Sequence, residues 1–185
     1  MTTEANDPAE LASFVDKAKI NEVLVRYSRA VDRADPDLLR TCYHDDATED
    51  HGGVYKGSAM AYVNMLAPVL PNAGRLSHAL SNVCIELNGD VAIAESYITT
   101  FSRMKKDGEK FDTVTLARAV DRFEKREGAW RIAERRISWE WNMEIPNNES
   151  WGRGIICPDP SKLVRGGKKP DDILYQMRAA AGLKD

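Results

Sequence analysis

The stretch that follows Arg75, "LSHALSNVCIELNGDVAIAESYITTFSRMKKDGEKFDTVTLARAVDRFEKREGAWRIAERRISWEWNMEI", alternates in polarity and is rich in β-branched and aromatic residues. A period of two sends successive side chains to opposite faces, which commits such a run to sheet. Three turn signals interrupt it: Asn88-Gly89-Asp90, Lys106-Asp107-Gly108 and Arg126-Glu127-Gly128. They divide it into four long strands in antiparallel succession. What precedes the run has helical period. Helices first and sheet second is the order of an α+β domain, not of a βαβ winding.

The helical part opens with Lys17–Asp35, "KAKINEVLVRYSRAVDRAD", read as one amphipathic helix. At about 100° per residue, Ile20, Leu24, Tyr27 and Val31 share a narrow arc, while Arg26, Arg29 and Arg33 gather opposite. Asp32 falls with Val25 and Ser28, at the edge of the uncharged arc. A carboxylate there can look along the buried face; the competing reading is a boundary aspartate that pairs with Arg29 or caps the next turn. Asp35-Pro36-Asp37 ends this helix and starts a short second one in "PDLLRTCYHDDATED", with Leu38, Leu39, Cys42 and Tyr43 as its apolar side. "ATEDHGGVYKG" reads as a strand or hairpin broken by Gly52-Gly53, and "SAMAYVNMLAPVLPNAG" as a third helix capped by Ser58 and ended near Pro68 or Pro71.

A chain of 185 residues suits one domain with tails. The expected division is a flexible N-terminal tail over 1–16, a domain over 17–145 and a C-terminal arm over 146–185. The arm has no period, yet Trp151, Ile155, Ile156 and Leu163 make it too apolar for simple disorder. It is expected to pack over a cleft mouth or onto a neighbouring subunit, with "DILYQMRAAAGLKD" as a closing helix. The formal charge of −3 argues against nucleic acid as a partner, which would need a basic face. No apolar run is long enough to span a bilayer and no signal sequence opens the chain, so a cytoplasmic protein is expected. Cys42, Cys84 and Cys157 lie far apart with no CxxC pair, against a disulfide framework or structural zinc.

A sheet with helices on one face leaves a concavity that serves as a natural ligand site. Several polar residues stand where the strand pattern calls for something else: His78, Asn82, Glu95, Arg118, Arg135 and Trp139. If the first helix packs on the strand that begins near Leu76, Asp32 can accept the Nδ1–H of His78, fix its tautomer and leave Nε2 as a base. The bland alternative is a structural histidine at a strand start. No serine or cysteine stands in a nucleophile motif, which favours proton abstraction over covalent catalysis. Tyr27 is either a phenol donor to a carbonyl or leaving hydroxyl, or a core aromatic. By alternation Arg135 shares a face with Ile137, Trp139 and Trp141, while Arg136 and Ser138 point the other way. It either holds an oxyanion or pairs with Glu134 or Glu95. His51, in "EDHGG", is a second acid or substrate contact; with His44 and Asp50 it matches no established metal spacing, so no metal is expected. Arg118, Trp139 and Phe101 complete the expected substrate-binding set, the two aromatics being equally good core residues. Glu95 is left open between surface and interior.

"INEVLVRYSRAVDRADPDLLRTCYHDDATEDHGGVYKG", "RLSHALSNVCIELNGDVAIAESY" and "DRFEKREGAWRIAERRISWEW" closely resemble the SnoaL-like branch of the nuclear transport factor 2-like superfamily, over about residues 17–143. The resemblance implies a cystatin-like cone: a strongly curved mixed sheet with about three N-terminal helices enclosing a pocket. Scytalone dehydratase, hexachlorocyclohexane dehydrochlorinase and the bile acid 7α-dehydratases belong to that branch. In these lyases a helix aspartate orients a sheet histidine that removes a proton, and Asp32 and His78 match that dyad. Tyr27, five residues before the aspartate, matches the tyrosine of the bile acid enzymes. Arg135, five residues after Trp130, matches the dehydrochlorinase arginine. Tails like the one after Glu144 contribute to a trimer in relatives, which implies a homo-oligomer here, a trimer or else a dimer.

The resulting expectation is a lyase without cofactor, acting on a hydrophobic, ring-containing small molecule. It expels water or, in a related elimination, formaldehyde. An isomerase or polyketide-type cyclase would use the same base, and a non-catalytic binding module the same fold.

Overall fold

The computed structural model describes residues 7–183. Its first helix, α1, spans Pro8–Asp32 and so begins nine residues before the amphipathic segment read from the sequence. The cause is local: Asp7 accepts a hydrogen bond from the Ala9 N–H, and Pro8 occupies the first turn, where its missing N–H costs nothing. Of the tail expected over 1–16, residues 8–16 therefore belong to α1, and residues 1–6 lie outside the described residues. Helix α2 is confined to Pro36–Arg40, with Asp35 as its cap. The longer helix expected there gives way at Tyr43, where strand β1 (Tyr43–Asp50) begins. A short β2 (Lys56–Ser58) and α3 (Ala59–Leu66) follow, the latter capped by Ser58 as the sequence indicates.

The alternating run becomes β3 (Leu76–Asn88), β4 (Val91–Lys106), β5 (Glu109–Arg126) and β6 (Ala129–Pro146). Asp107-Gly108 and Glu127-Gly128 take positive φ at both positions, as tight hairpin turns of the mirror-image type require. The six strands lie in the order β2-β1-β6-β5-β4-β3, in a curved sheet that does not close into a barrel. β1 joins the sheet parallel to β6, and every other pair is antiparallel. Helix α1 packs on β3 and β6, and α3 on β1, all on one inner face. The core lies there, where Ile20, Leu24 and Val31 of α1 meet Ala92, Phe123 and Ile132 of the sheet. This is the expected α+β cone.

Two irregularities decide which side chains reach that inner face. A bulge between Leu116 and Ala117 sets Trp139 opposite Ala117 but Trp141 opposite Leu116. The extra residue, Glu140, breaks the alternation, so Trp141 leaves the face shared by Arg135, Ile137 and Trp139. In β3 the register shifts between Ser81 and Cys84, and Asn82 sits there at a φ of 49°. An asparagine tolerates that left-handed conformation better than most residues, which explains a polar residue inside a strand.

The arm after Pro146 wraps the far side of the sheet and returns to the end of α1. Glu149 accepts hydrogen bonds from Trp151 and Arg165 and pairs with Arg103 of β4. Further on, the Lys169 N–H donates to the Arg33 carbonyl and the Lys168 Nζ to that of Asp32. Helix α4 (Ile173–Ala180) is then held by Tyr175, whose hydroxyl donates to Asp35. The arm thus caps α1, whose last carbonyls would otherwise lack partners.

Hydrogen bonds from Arg103 and Trp151 hold the Glu149 carboxyl down at about 2. Its ordinary value is near 4.5, so the clamp contributes stability above that pH and loses it as pH falls toward about 2. The expected result is a change in Trp151 fluorescence across that window, absent in Glu149→Gln.

Candidate active site

Asp32 is the last residue of α1 and Leu76 the first of β3, so packing α1 on β3 brings Asp32 to His78. One carboxylate oxygen, Oδ1, lies 2.6 Å from His78 Nδ1, and Oδ2 accepts from the His78 backbone N–H at 3.1 Å. A carboxylate only accepts, so Nδ1 carries the proton and Nε2 the lone pair. Among the described residues, Nε2 has no hydrogen-bond partner. The imidazole is 18% exposed, enough for a small molecule to reach it. A recess of about 400 Å³ opens beside Asp32, lined by Arg33, Ala73–Leu76 and Gly166–Lys168 of the arm.

Tyr27, one turn and a residue before Asp32 on α1, meets Arg135 of β6. The guanidinium lies 3.9 Å from the centre of the Tyr27 ring. Its Nε and Nη2 each donate at 2.7 Å to the two oxygens of Asp121, which faces it across β5 and β6. The partner is therefore neither Glu134 nor Glu95. Both members are fully buried, and burial pushes the Asp121 carboxyl up while Arg135 opposes it. A guanidinium does not give up its proton, so the pair stays ionic. Arg135 Nη1 has no partner among the described residues. Burial, with the Glu49 charge, pushes the Tyr27 phenol up to about 12, against the pull of Arg135 and a hydrogen bond with Tyr43. Tyr27 therefore keeps its proton.

His51 lies in a second carboxylate–imidazole pair. Its Nδ1 is 2.7 Å from Glu49 Oε1, and Glu49 Oε2 accepts from Tyr43 at 2.6 Å. The ring stacks on Tyr62 of α3 and meets the edge of Trp139. Trp139 is fixed in turn by a bond from its Nε1 to the Gly52 carbonyl. Gly52 has a φ of 58°, and a Cβ there would fall 2.5 Å from the indole nitrogen, so the glycine is needed.

The structure brings Asp32, His78, Tyr27, Arg135, His51 and Trp139 to the inner face. It does not bring Arg118 or Phe101 there. Both alternate with inner-face residues, the buried Ala117 and Ala119 around Arg118 and the buried Ile98 and the half-buried Thr100 near Phe101, and so point outward. Arg118 pairs with Glu95 at 3.0 Å and Glu140 at 3.3 Å, which also places Glu95 outside. Phe101 lines a cavity of about 630 Å³ with Arg103, Trp151 and Ile156, which shares Arg75, Leu76 and Gly166 with the recess beside Asp32. Glu49, Tyr62 and Asp121 were not apparent from the sequence. The available signals were Glu49 and His51 two apart along a strand, and one acid in the otherwise apolar alternation "ARAVDRF". Among the described residues no cluster of His, Cys, Asp and Glu could hold a metal ion.

Removing one partner of a buried ion pair strands the other charge, which costs about 3–5 kcal/mol. Asp121→Ala should lose stability on that scale in urea denaturation, whereas Glu95→Ala, at the exposed pair, should shift it by less than about 1 kcal/mol.

A SnoaL-like domain model matches residues 12–136. No curated protein matches the chain at a significant level. Among similar solved structures is the type 3 hexachlorocyclohexane dehydrochlorinase LinA of Novosphingobium barchaimii (TM-score 0.67, 15% identity, covering 76% of this chain and 97% of that one). A candidate scytalone dehydratase from Novosphingobium aromaticivorans is comparable (0.65, 17%, 75% and 93%). So is an NTF2-like protein with a cystatin-like fold from the same organism (0.60, 19%, 72% and 90%). At these identities the structural likeness speaks for the fold alone. With two thirds of its length matched by the domain model, the chain belongs to the SnoaL-like family.

Proposed function

We propose that the chain is a lyase that eliminates water, or a hydroxymethyl group as formaldehyde, from a hydrophobic ring-containing small molecule. The observation that carries this reading is the two-point grip of Asp32 on His78, at Nδ1 and at the backbone N–H. It fixes ring orientation and tautomer together, as a general base requires. His78 Nε2 takes a proton from a carbon next to a carbonyl, and Asp32 stabilises the imidazolium that forms. Tyr27 donates to the oxygen on which negative charge develops. Arg135 acts from beneath, its charge favouring the charged side of the Tyr27 hydrogen bond rather than touching substrate. Trp139 offers the substrate ring a partly exposed aromatic wall. Proton transfer among these groups calls for no cofactor.

Two structural relatives are named for eliminations, a dehydrochlorinase and a dehydratase. An isomerase or cyclase would use the same base without expelling a group, and product mass separates the two: elimination loses mass and isomerisation does not. A homo-oligomer fits the outer face, where Phe101, Trp141 and Met143 are each about half exposed.

In assays on β-hydroxy ketones and aromatic diols, His78→Ala and Asp32→Ala should each lower kcat by about two to four orders of magnitude. Their circular dichroism should stay native. Retained turnover in either variant would sink the assignment.

A further inference from the structure

His51 repeats the architecture of His78 from the opposite side of the inner face. The Nδ1 of each ring is bound to a carboxylate, at 2.7 Å for His51 and 2.6 Å for His78. The two side chains are almost equally open, at 19% and 18% exposure. A histidine that only fills the core looks different: His44 is 6% exposed, and its Nε2 is engaged with the Glu124 carbonyl at 2.9 Å. The Nε2 of His51 has only a long contact, 3.4 Å to the Tyr62 hydroxyl, with the rings stacked at 28° rather than in plane. Stacked rings place that hydroxyl out of line with the imidazole lone pair, so the nitrogen keeps its capacity for another partner.

The support behind His51 is as firm as that behind His78. Glu49 is 1% exposed, and its second oxygen is fixed by Tyr43. Tyr62 and Trp139 hold the ring from two sides. Between the two imidazoles lies an apolar floor of Ile98, Ala117 and Ile137, with Leu80 packed against it. Tyr27 is a near neighbour of Tyr62. Asp32 is five residues further on the same helix, about 7.5 Å of rise beyond Tyr27, so the helix that carries the first station also borders the second.

Resting on the lyase reading above, we infer that His51, oriented by Glu49, is the general acid that protonates the leaving oxygen, so that base and acid are separate histidines. The protons balance as follows. His78 Nε2 takes the proton from the carbon, and the C–H electron pair passes into an enolate whose oxygen accepts from Tyr27. Collapse of the enolate forms the C=C bond and breaks the C–O bond. The departing hydroxyl takes the Nε2 proton of a cationic His51 and leaves as water. His51 ends neutral with its Nδ1–H still on Glu49, and solvent returns the proton from His78 to His51 between turnovers. Tyr62, held as the phenol by burial and the neighbouring Tyr27 and Glu49, stacks on the His51 ring and steadies it.

The test uses three probes on the full chain: benzylacetone, its β-hydroxy derivative and its β-chloro derivative. Deuterium exchange into benzylacetone reports the base alone, since nothing leaves. Chloride departs unprotonated, whereas hydroxide needs an acid. His51→Gln should lower water elimination by about 100-fold or more, chloride elimination far less, and leave exchange near wild type. Glu49→Gln should show the same selectivity, which a merely packing role would not produce. Equal loss for both leaving groups, or no loss for either, overturns the inference. Exchange without any elimination in the wild type overturns it too, and leaves the base standing. No exchange in the wild type, or exchange that survives His78→Ala, instead refutes the lyase reading itself.

Discussion

The carboxylate of Asp32 ties the end of one helix to the edge of the sheet, and the rest of the site hangs on that tie. β3 is an edge strand, so the N–H groups on its free side have no strand partner. Asp32 fills one of them, at His78, and uses its other oxygen to hold the side chain of the same residue. Helix, strand and imidazole are thereby placed by a single group. The arm secures the tie from behind: Lys168 and Lys169 satisfy the carbonyls of Asp32 and Arg33, where α1 would otherwise fray.

The second constraint is the charge kept inside the cone. Glu49, Asp121 and Arg135 are all at most 1% exposed. Removing such groups from water is expensive, and a core built for stability alone would use apolar side chains of similar volume. Here they hold Tyr27, Tyr43 and His51 in fixed positions. That is preorganisation, and it gives the buried charges a reason to be there beyond stability.

Much of this was legible in the sequence, because it depends on local pattern. The four strands, their turns, the cap at Ser58 and the inward edge position of Asp32 all follow from period and turn chemistry. What failed depends on register. One extra residue at Glu140 turned Trp141 outward, and no alternation rule announces a bulge. Arg118 and Phe101 were misplaced because an unusual residue in a strand says nothing about which face is the inner one. Only alternation with the buried Ala117, Ala119 and Ile98 along the same strands fixes that. Asp121 was missed as the partner of Arg135 because the two stand fourteen residues apart and meet only across a hairpin. The start of α1 was placed late because Asp7-Pro8 is a cap signal in front of a segment with little amphipathic pattern.

The central claim is that Asp32 holds His78 as a base with its lone pair on Nε2. Nitrogen NMR of histidine-labelled protein, with the His78 signals assigned by their loss in His78→Asn, tests it most directly. With the ring neutral, the account predicts a proton-bearing Nδ1, hydrogen-bonded far downfield, and an unprotonated Nε2. Asp32→Ala should erase that preference. A neutral His78 with its proton on Nε2 would contradict the account, because the nitrogen facing the substrate would then have no lone pair to offer.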